Sequence, residues 1–109
     1  MSNLLLTNSL TRKKEVFKPI NPKKVSLYAC GPTVYDSPHV GNARSLVVFD
    51  VLYRILKAIY GSNVTYVRNI TDVDDKIIEA SHKNKISIKE ITNKVTKTFH
   101  ENCESLNCL

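Results

Sequence analysis

Apolar and polar positions alternate through Val25-Ser26-Leu27-Tyr28-Ala29-Cys30, and the run stops at Gly31-Pro32. A period of two marks a strand with one buried face, so a strand ending at Cys30 is predicted. The spacing then changes to three and four. A helix is predicted from Gly41 or Asn42 to Tyr60, with Val48, Leu52, Ile55, Leu56 and Ile59 on its buried face and Asp50, Arg54 and Lys57 on its wetter side. Gly61 is a natural end, since glycine adopts the left-handed conformation that closes a helix. Residues 64–70, β-branched and aromatic, read as a second strand. Strand, helix, strand is a βαβ unit with parallel strands and a right-handed crossover, which makes the fold class α/β. Ligands bind such sheets at the carboxyl ends of the strands, so loops 31–42 and 69–75 should share one edge.

The flanking segments are simpler. Residues 4–6 and 15–20 could pair as a hairpin around a polar stretch. Ser87-Ile88-Lys89-Glu90 has the form of a capping box, and Ile91, Val95, Phe99, Cys103 and Leu106 follow it on one helical stripe. Asp72, Asp74 and Asp75 invite a calcium loop, but Ile77 and Lys83 stand where that loop needs glycine and glutamate. A helix start fits better, with Thr71 or Asp72 as the cap and the carboxylates facing the positive end of the helix dipole.

A chain of 109 residues allows one modest core, and 42% hydrophobic with 24% charged residues is ordinary for a globular protein. Sixteen basic against 10 acidic residues give a net charge of +6, which favours an acidic partner such as RNA, although the lysines and arginines are scattered. Cys30, Cys103 and Cys108 form an odd set with no secretory or membrane-spanning stretch, and Asp50 breaks the most apolar run, 46–53. A reducing, cytoplasmic location is expected, where a cysteine is a ligand, a nucleophile or a core residue. Cys103 lies on the apolar stripe and reads as a packed thiol, with His100 on the surface. His82, among lysines, reads as solvated.

The chemistry concentrates in residues 30–42, Cys-Gly-Pro-Thr-Val-Tyr-Asp-Ser-Pro-His-Val-Gly-Asn, which lead from a strand end to a helix start. A helix start offers unpaired N–H groups and positive dipole, and so accepts phosphate. His39 can donate to a phosphate oxygen, Gly41 leaves room for a flat base, and Asn42 adds a neutral donor. That combination suits an ATP pocket.

The segment resembles the HIGH signature of class I aminoacyl-tRNA synthetases, in the form found in cysteinyl-tRNA synthetases. The similarity extends upstream through Thr11-Arg12-Lys13-Lys14-Glu15 and downstream through residues 66–78, Tyr-Val-Arg-Asn-Ile-Thr-Asp-Val-Asp-Asp-Lys-Ile-Ile. Asn42 replaces the histidine of the signature's fourth position, an exchange the family tolerates. The resemblance implies the first half of a Rossmann-like nucleotide-binding fold followed by helices, with residues 1–109 as the amino-terminal part of a catalytic domain. It implies activation of L-cysteine by ATP with magnesium and transfer to tRNA(Cys), by an enzyme that is a monomer at full length. His39 and Asn42 would be catalytic; His39, Gly41 and Asn42 would bind ATP; Gly31 and Thr71 would contact the substrate. Cys30 would be one of four protein ligands to a zinc ion that also takes the substrate thiolate. A cysteine at a strand end is more often an inert core residue, but soft sulfur binds zinc far better than a hydroxyl does, which suits selection of cysteine over serine. The second half of the fold, with its lysine-rich KMSKS loop and the other zinc ligands, has no counterpart in these residues, so the chain by itself is expected to be inactive.

Three rivals remain open at this point. A ligase that activates cysteine and passes it to an amino sugar would share this front half. A nucleotidyltransferase of the HxGH type would hold its histidine closer to the strand-end glycine than the interval from Gly31 to His39. A non-catalytic nucleic-acid-binding module would need a basic stripe with exposed aromatics, and the sequence has none.

Overall fold

The computed structural model describes residues 3–36 and 38–109; Met1, Ser2 and Ser37 lie outside the described residues. An amino-terminal hairpin pairs β1 (Leu5–Asn8) antiparallel with β2 (Lys13–Val16), Leu5 facing Val16 and Asn8 facing Lys13. The hairpin is therefore real, with its strands closer to the turn than the apolar clusters suggested. Asn8 shapes the turn, its Oδ1 accepting from the Leu10 N–H at 2.9 Å. Thr11 and Asn8 donate to the Glu15 carboxylate and hold its pKa below the usual value.

The βαβ unit forms as the periodicities require. β3 (Val25–Ala29) and β4 (Val64–Arg68) are parallel, in register from Val25 with Val64 to Ala29 with Arg68. Between them runs α1 (Val40–Tyr60), which starts one residue before the earlier of the two expected positions. Gly61, at φ 66°, sends its N–H to the Lys57 carbonyl and opens a short 3₁₀ turn, Gly61–Asn63. Two further helices follow, α2 (Asp75–Asn84) and α3 (Ile88–Ser105), with Ser87 capping α3 through the Glu90 N–H. No helix among the described residues is long and apolar enough to cross a membrane.

Two small cores result. One joins Val25, Val64 and Leu56, with Leu52, Tyr53, Tyr60 and the hairpin's Leu4 and Phe17 against it. The other joins Val34 of the loop after β3 to Ile77 of α2 and to Ile91 and Val95 of α3. Val34 and Ile77 are fully enclosed, so the loop after β3 is anchored by its own side chain.

Three expectations need correction. Asp50, assigned to the wetter side of α1, is only 6% exposed, while Val48, Ile55 and Ile59 of the expected buried face are exposed. Leu46, Asp50 and Leu56 are the buried residues of this helix, which carries two apolar stripes, and spacing alone does not say which one meets the sheet. Cys30 lies one residue beyond the strand and not within it. Neither Thr71 nor Asp72 caps α2; Asp74 does, accepting from the Lys76 N–H at 2.9 Å. Thr71 is unavailable because its main chain is still paired as an extension of the sheet.

Candidate active site

Past the ends of β3 and β4 the two loops stay zipped together. Thr33 and Thr71 form a parallel bridge, in which the Val34 N–H donates to the Thr71 carbonyl and the Thr71 N–H to the Pro32 carbonyl, each at 3.0 Å. The Gly31 N–H donates to Asn69 Oδ1 at 2.6 Å. A Cβ on residue 31 would lie 1.6 Å from the Asn69 carbonyl oxygen, so only glycine lets the two main chains approach this closely. The expectation that both loops share one edge therefore holds.

At the start of α1, His39 and Asn42 cap each other. His39 is the N-cap residue in extended conformation, and its Nδ1 accepts from the Gly41 N–H at 3.0 Å. In return Asn42 Oδ1 accepts from the His39 N–H at 3.0 Å. This reciprocal box settles two orientations. An accepting Nδ1 puts the proton of the neutral imidazole on Nε2, which becomes a donor, and an accepting Oδ1 turns the Asn42 amide so that its NH₂ points the other way. Gly41 serves the same arrangement. A Cβ there would come within 2.8 Å of His39 Cε1, so the missing side chain leaves room for the imidazole folded over the helix start.

Two cavities flank these residues. One, of about 230 Å³, is lined by Tyr35, Asp36, His39 and Asn42 and by Val95 and Phe99 of α3. The other, of about 200 Å³, is lined by Cys30, Gly31, Asn42, Ser45, Arg68 and Phe99. They share Pro32, Asn42 and Phe99, so the side of the site that holds His39 and the side that holds Cys30 meet at Asn42. Thr71 lines neither cavity, and its main chain secures Thr33. Sequence reasoning missed Arg68, Asn69 and Phe99 here. Phe99 was read as core, correctly as far as burial goes, and nothing in its spacing revealed that its ring also walls the site. Arg68 lies 5.1 Å over the Tyr66 ring and donates to the Tyr66 hydroxyl, which fixes it at the strand end.

Cys30 is exposed, its thiol 3.5 Å from the Gly31 carbonyl. Among the described residues no three of histidine, cysteine, aspartate and glutamate gather closely enough to hold a metal ion. The donors here do not make a zinc site by themselves; Cys30 offers a single sulfur. Cys103 and Cys108 are no substitutes. Burial pushes both thiols up, and neither belongs to a cluster that could hold a metal ion among the described residues.

The profile of the class I tRNA synthetase (C) catalytic domain matches residues 16–109. The chain belongs to that family. It is 58% identical over 107 residues to a cysteine–tRNA ligase of Orientia tsutsugamushi (strain Ikeda), an alignment covering 97% of this chain and 22% of that protein. It is 54% identical over 106 residues to one of Pelagibacter ubique (strain HTCC1062), covering 96% and 23%. The corresponding protein of Rickettsia prowazekii (strain Madrid E) is 57% identical over 107 residues, covering 97% and 23%. The chain therefore spans less than a quarter of the length of these relatives. Family membership accounts for the α/β start of a Rossmann-like catalytic domain.

Proposed function

We propose that residues 1–109 form the amino-terminal part of the catalytic domain of a cysteine–tRNA ligase, which activates L-cysteine with ATP and passes it to tRNA(Cys). The observation that carries this reading is the reciprocal His39–Asn42 cap, which leaves the imidazole Nε2–H and the Asn42 NH₂ outside the cap, beside a cavity that shares Pro32, Asn42 and Phe99 with the cavity at Cys30. In the first step a carboxylate oxygen of cysteine attacks the α-phosphorus of ATP, the bond to the bridging oxygen breaks, and pyrophosphate leaves. In the second a terminal ribose hydroxyl of tRNA attacks the carbonyl carbon of the adenylate and AMP leaves. His39 Nε2–H and the Asn42 amide would stabilise charge developing on the phosphate, and the positive end of α1 adds to them. Magnesium would accompany the nucleotide.

Cys30 would supply one zinc ligand, with Gly31 beside it and Thr71 holding the facing loop. When bound, zinc would contribute a metal–sulfur bond that distinguishes cysteine from serine. The positive net charge of +6 suits an enzyme with an RNA substrate working in the cytoplasm.

The test is cysteine-dependent ATP–pyrophosphate exchange by the full-length protein, followed by tRNA as acceptor. Exchange with cysteine, absent with serine, and acylation of tRNA are expected. Transfer to an amino sugar instead would select the rival ligase. Cys30→Ser should lower zinc content and cysteine activation together, and full zinc retention in that variant would remove Cys30 from the ligand set.

A further inference from the structure

The two strand extensions do not keep step. Ala29 pairs with Arg68, and the next paired residues are Thr33 and Thr71, so three residues on the first extension face two on the second. The sheet therefore carries a one-residue offset at Cys30-Gly31-Pro32, opposite Asn69-Ile70. Offsets of this kind interrupt the ladder and re-aim side chains, and they leave a main-chain donor without its partner on the neighbouring strand. Pro32 has no N–H to lose. The Gly31 N–H does, and it is satisfied by a side chain: Asn69 Oδ1 accepts it at 2.6 Å in a partly buried setting. The donor is an amide N–H, so the oxygen of Asn69 must face it, which fixes the amide's orientation.

We infer that Asn69 is the positioning residue of the Cys30–Gly31 corner, its side-chain carbonyl replacing the strand acceptor that the offset removes. The close approach of residue 31 to the Asn69 main chain, where not even a Cβ would fit, gives the corner a second restraint from the same residue. The His39 half of the site has its own restraints, the reciprocal cap with Asn42, and among the described residues shares no hydrogen bond with Asn69. Asn69 thus acts on one half of the site and leaves the other alone. Taken with the proposed function, on which this consequence rests, Asn69 governs cysteine binding and not ATP binding.

The experiment uses the full-length protein with Asn69→Ala, Asn69→Ser and Asn69→Asp. Alanine removes the acceptor, the serine hydroxyl falls short of Gly31, and aspartate keeps an oxygen at the same place. Amide exchange at Gly31 should quicken in the alanine and serine variants and stay slow in the aspartate variant. The KM for cysteine should rise about tenfold in the first two, the scale of one lost partly buried hydrogen bond, with the KM for ATP within about twofold and partial recovery in Asn69→Asp. Unchanged Gly31 exchange in both Asn69→Ala and Asn69→Ser, or equal loss of cysteine and ATP binding, would overturn the inference. Absence of cysteine-dependent exchange in the unaltered protein would instead overturn the proposed function, and the Gly31 amide measurement would still decide whether Asn69 holds the corner.

Discussion

Under the proposed function His39 does two jobs with its two ring nitrogens, and they can be separated. Nδ1 caps α1 through the Gly41 N–H, while Nε2 would be the donor offered to the nucleotide. His39→Ala removes both, and its expected cost is about 1 kcal/mol of stability for the cap, with a drop in kcat of about 10²-fold as for a lost oxyanion donor. The drop should exceed any rise in the KM for ATP, because the donor acts mainly on charge that develops in the transition state. His39→Asn, a good capping residue without the far-side donor, should restore stability and leave kcat low. Recovery of kcat in that variant, or an effect confined to KM, would make His39 a cap and a ground-state contact only. At this scale the motif made His39, Asn42 and Cys30 legible as candidates, since residue type and order are what a motif records. Their mutual hydrogen bonds were not legible, because the order of residues does not record which side chains meet. Asn69 was invisible for the same reason: its partner, Gly31, lies 38 positions earlier in the chain.

At the scale of elements, the βαβ order, the parallel pairing and the start of α3 follow from periods of two and 3.6 and from local caps, which are short-range signals. The orientation of α1 does not, because Leu46, Tyr53, Leu56 and Tyr60 form one apolar stripe and Val48, Val51, Ile55 and Ile59 another. In the observed orientation a clasp joins α1 to the segment after α3. Asp50 Oδ1 accepts from the Leu109 N–H at 2.6 Å, Asp50 and Arg54 pair at 2.8 Å, and Arg54 Nη2 donates to the Asn107 carbonyl at 2.8 Å. Burial alone would raise the Asp50 carboxyl. The hydrogen bonds from Arg54 and Leu109 and the charges of Arg54 and Arg68 outweigh it, leaving the pKa below the usual value. A carboxyl depressed in the folded state stabilises fully above its unfolded pKa, about 3.9, and loses that contribution as pH falls through the lower folded value. The clasp should therefore hold at neutral pH and open in acid. Amide exchange at Leu109, followed against pH in the full-length protein, should show protection falling below about pH 4. Asp50→Asn should flatten that dependence. Acid-induced loss of protection that persists in Asp50→Asn would place its origin elsewhere.

For the molecule as a whole, the radius of gyration is 17.0 Å and the principal extents are 55 × 30 × 24 Å, whereas a compact domain of this length would have a radius of about 13 Å. The excess follows from how the apolar surface is divided. Its buried part is split between two small cores, each sheet has only two strands, and Tyr28 and Val67 lie exposed at 65% and 49% on the far side of β3 and β4. The second stripe of α1, Val48, Val51, Ile55 and Ile59 with Val47 beside it, is exposed as well. A contiguous apolar face and open strand edges favour association with whatever can cover them. If these 109 residues are produced alone, the only cover available is another copy, so the 12.3 kDa chain should sediment as concentration-dependent larger species. Val48→Lys with Ile55→Lys should shift it toward monomer by placing charge in the middle of the stripe. Under the proposed function activity should be missing in either form, since Cys30 alone would not hold zinc tightly and the donors toward the nucleotide would come from one side only. Two results would defeat this argument: a single 12.3 kDa species that unfolds cooperatively, or cysteine-dependent ATP–pyrophosphate exchange above that of a Cys30→Ser control. The first would mean that two small cores suffice for an independent domain, and the second that both substrates can be held by the groups of this chain alone.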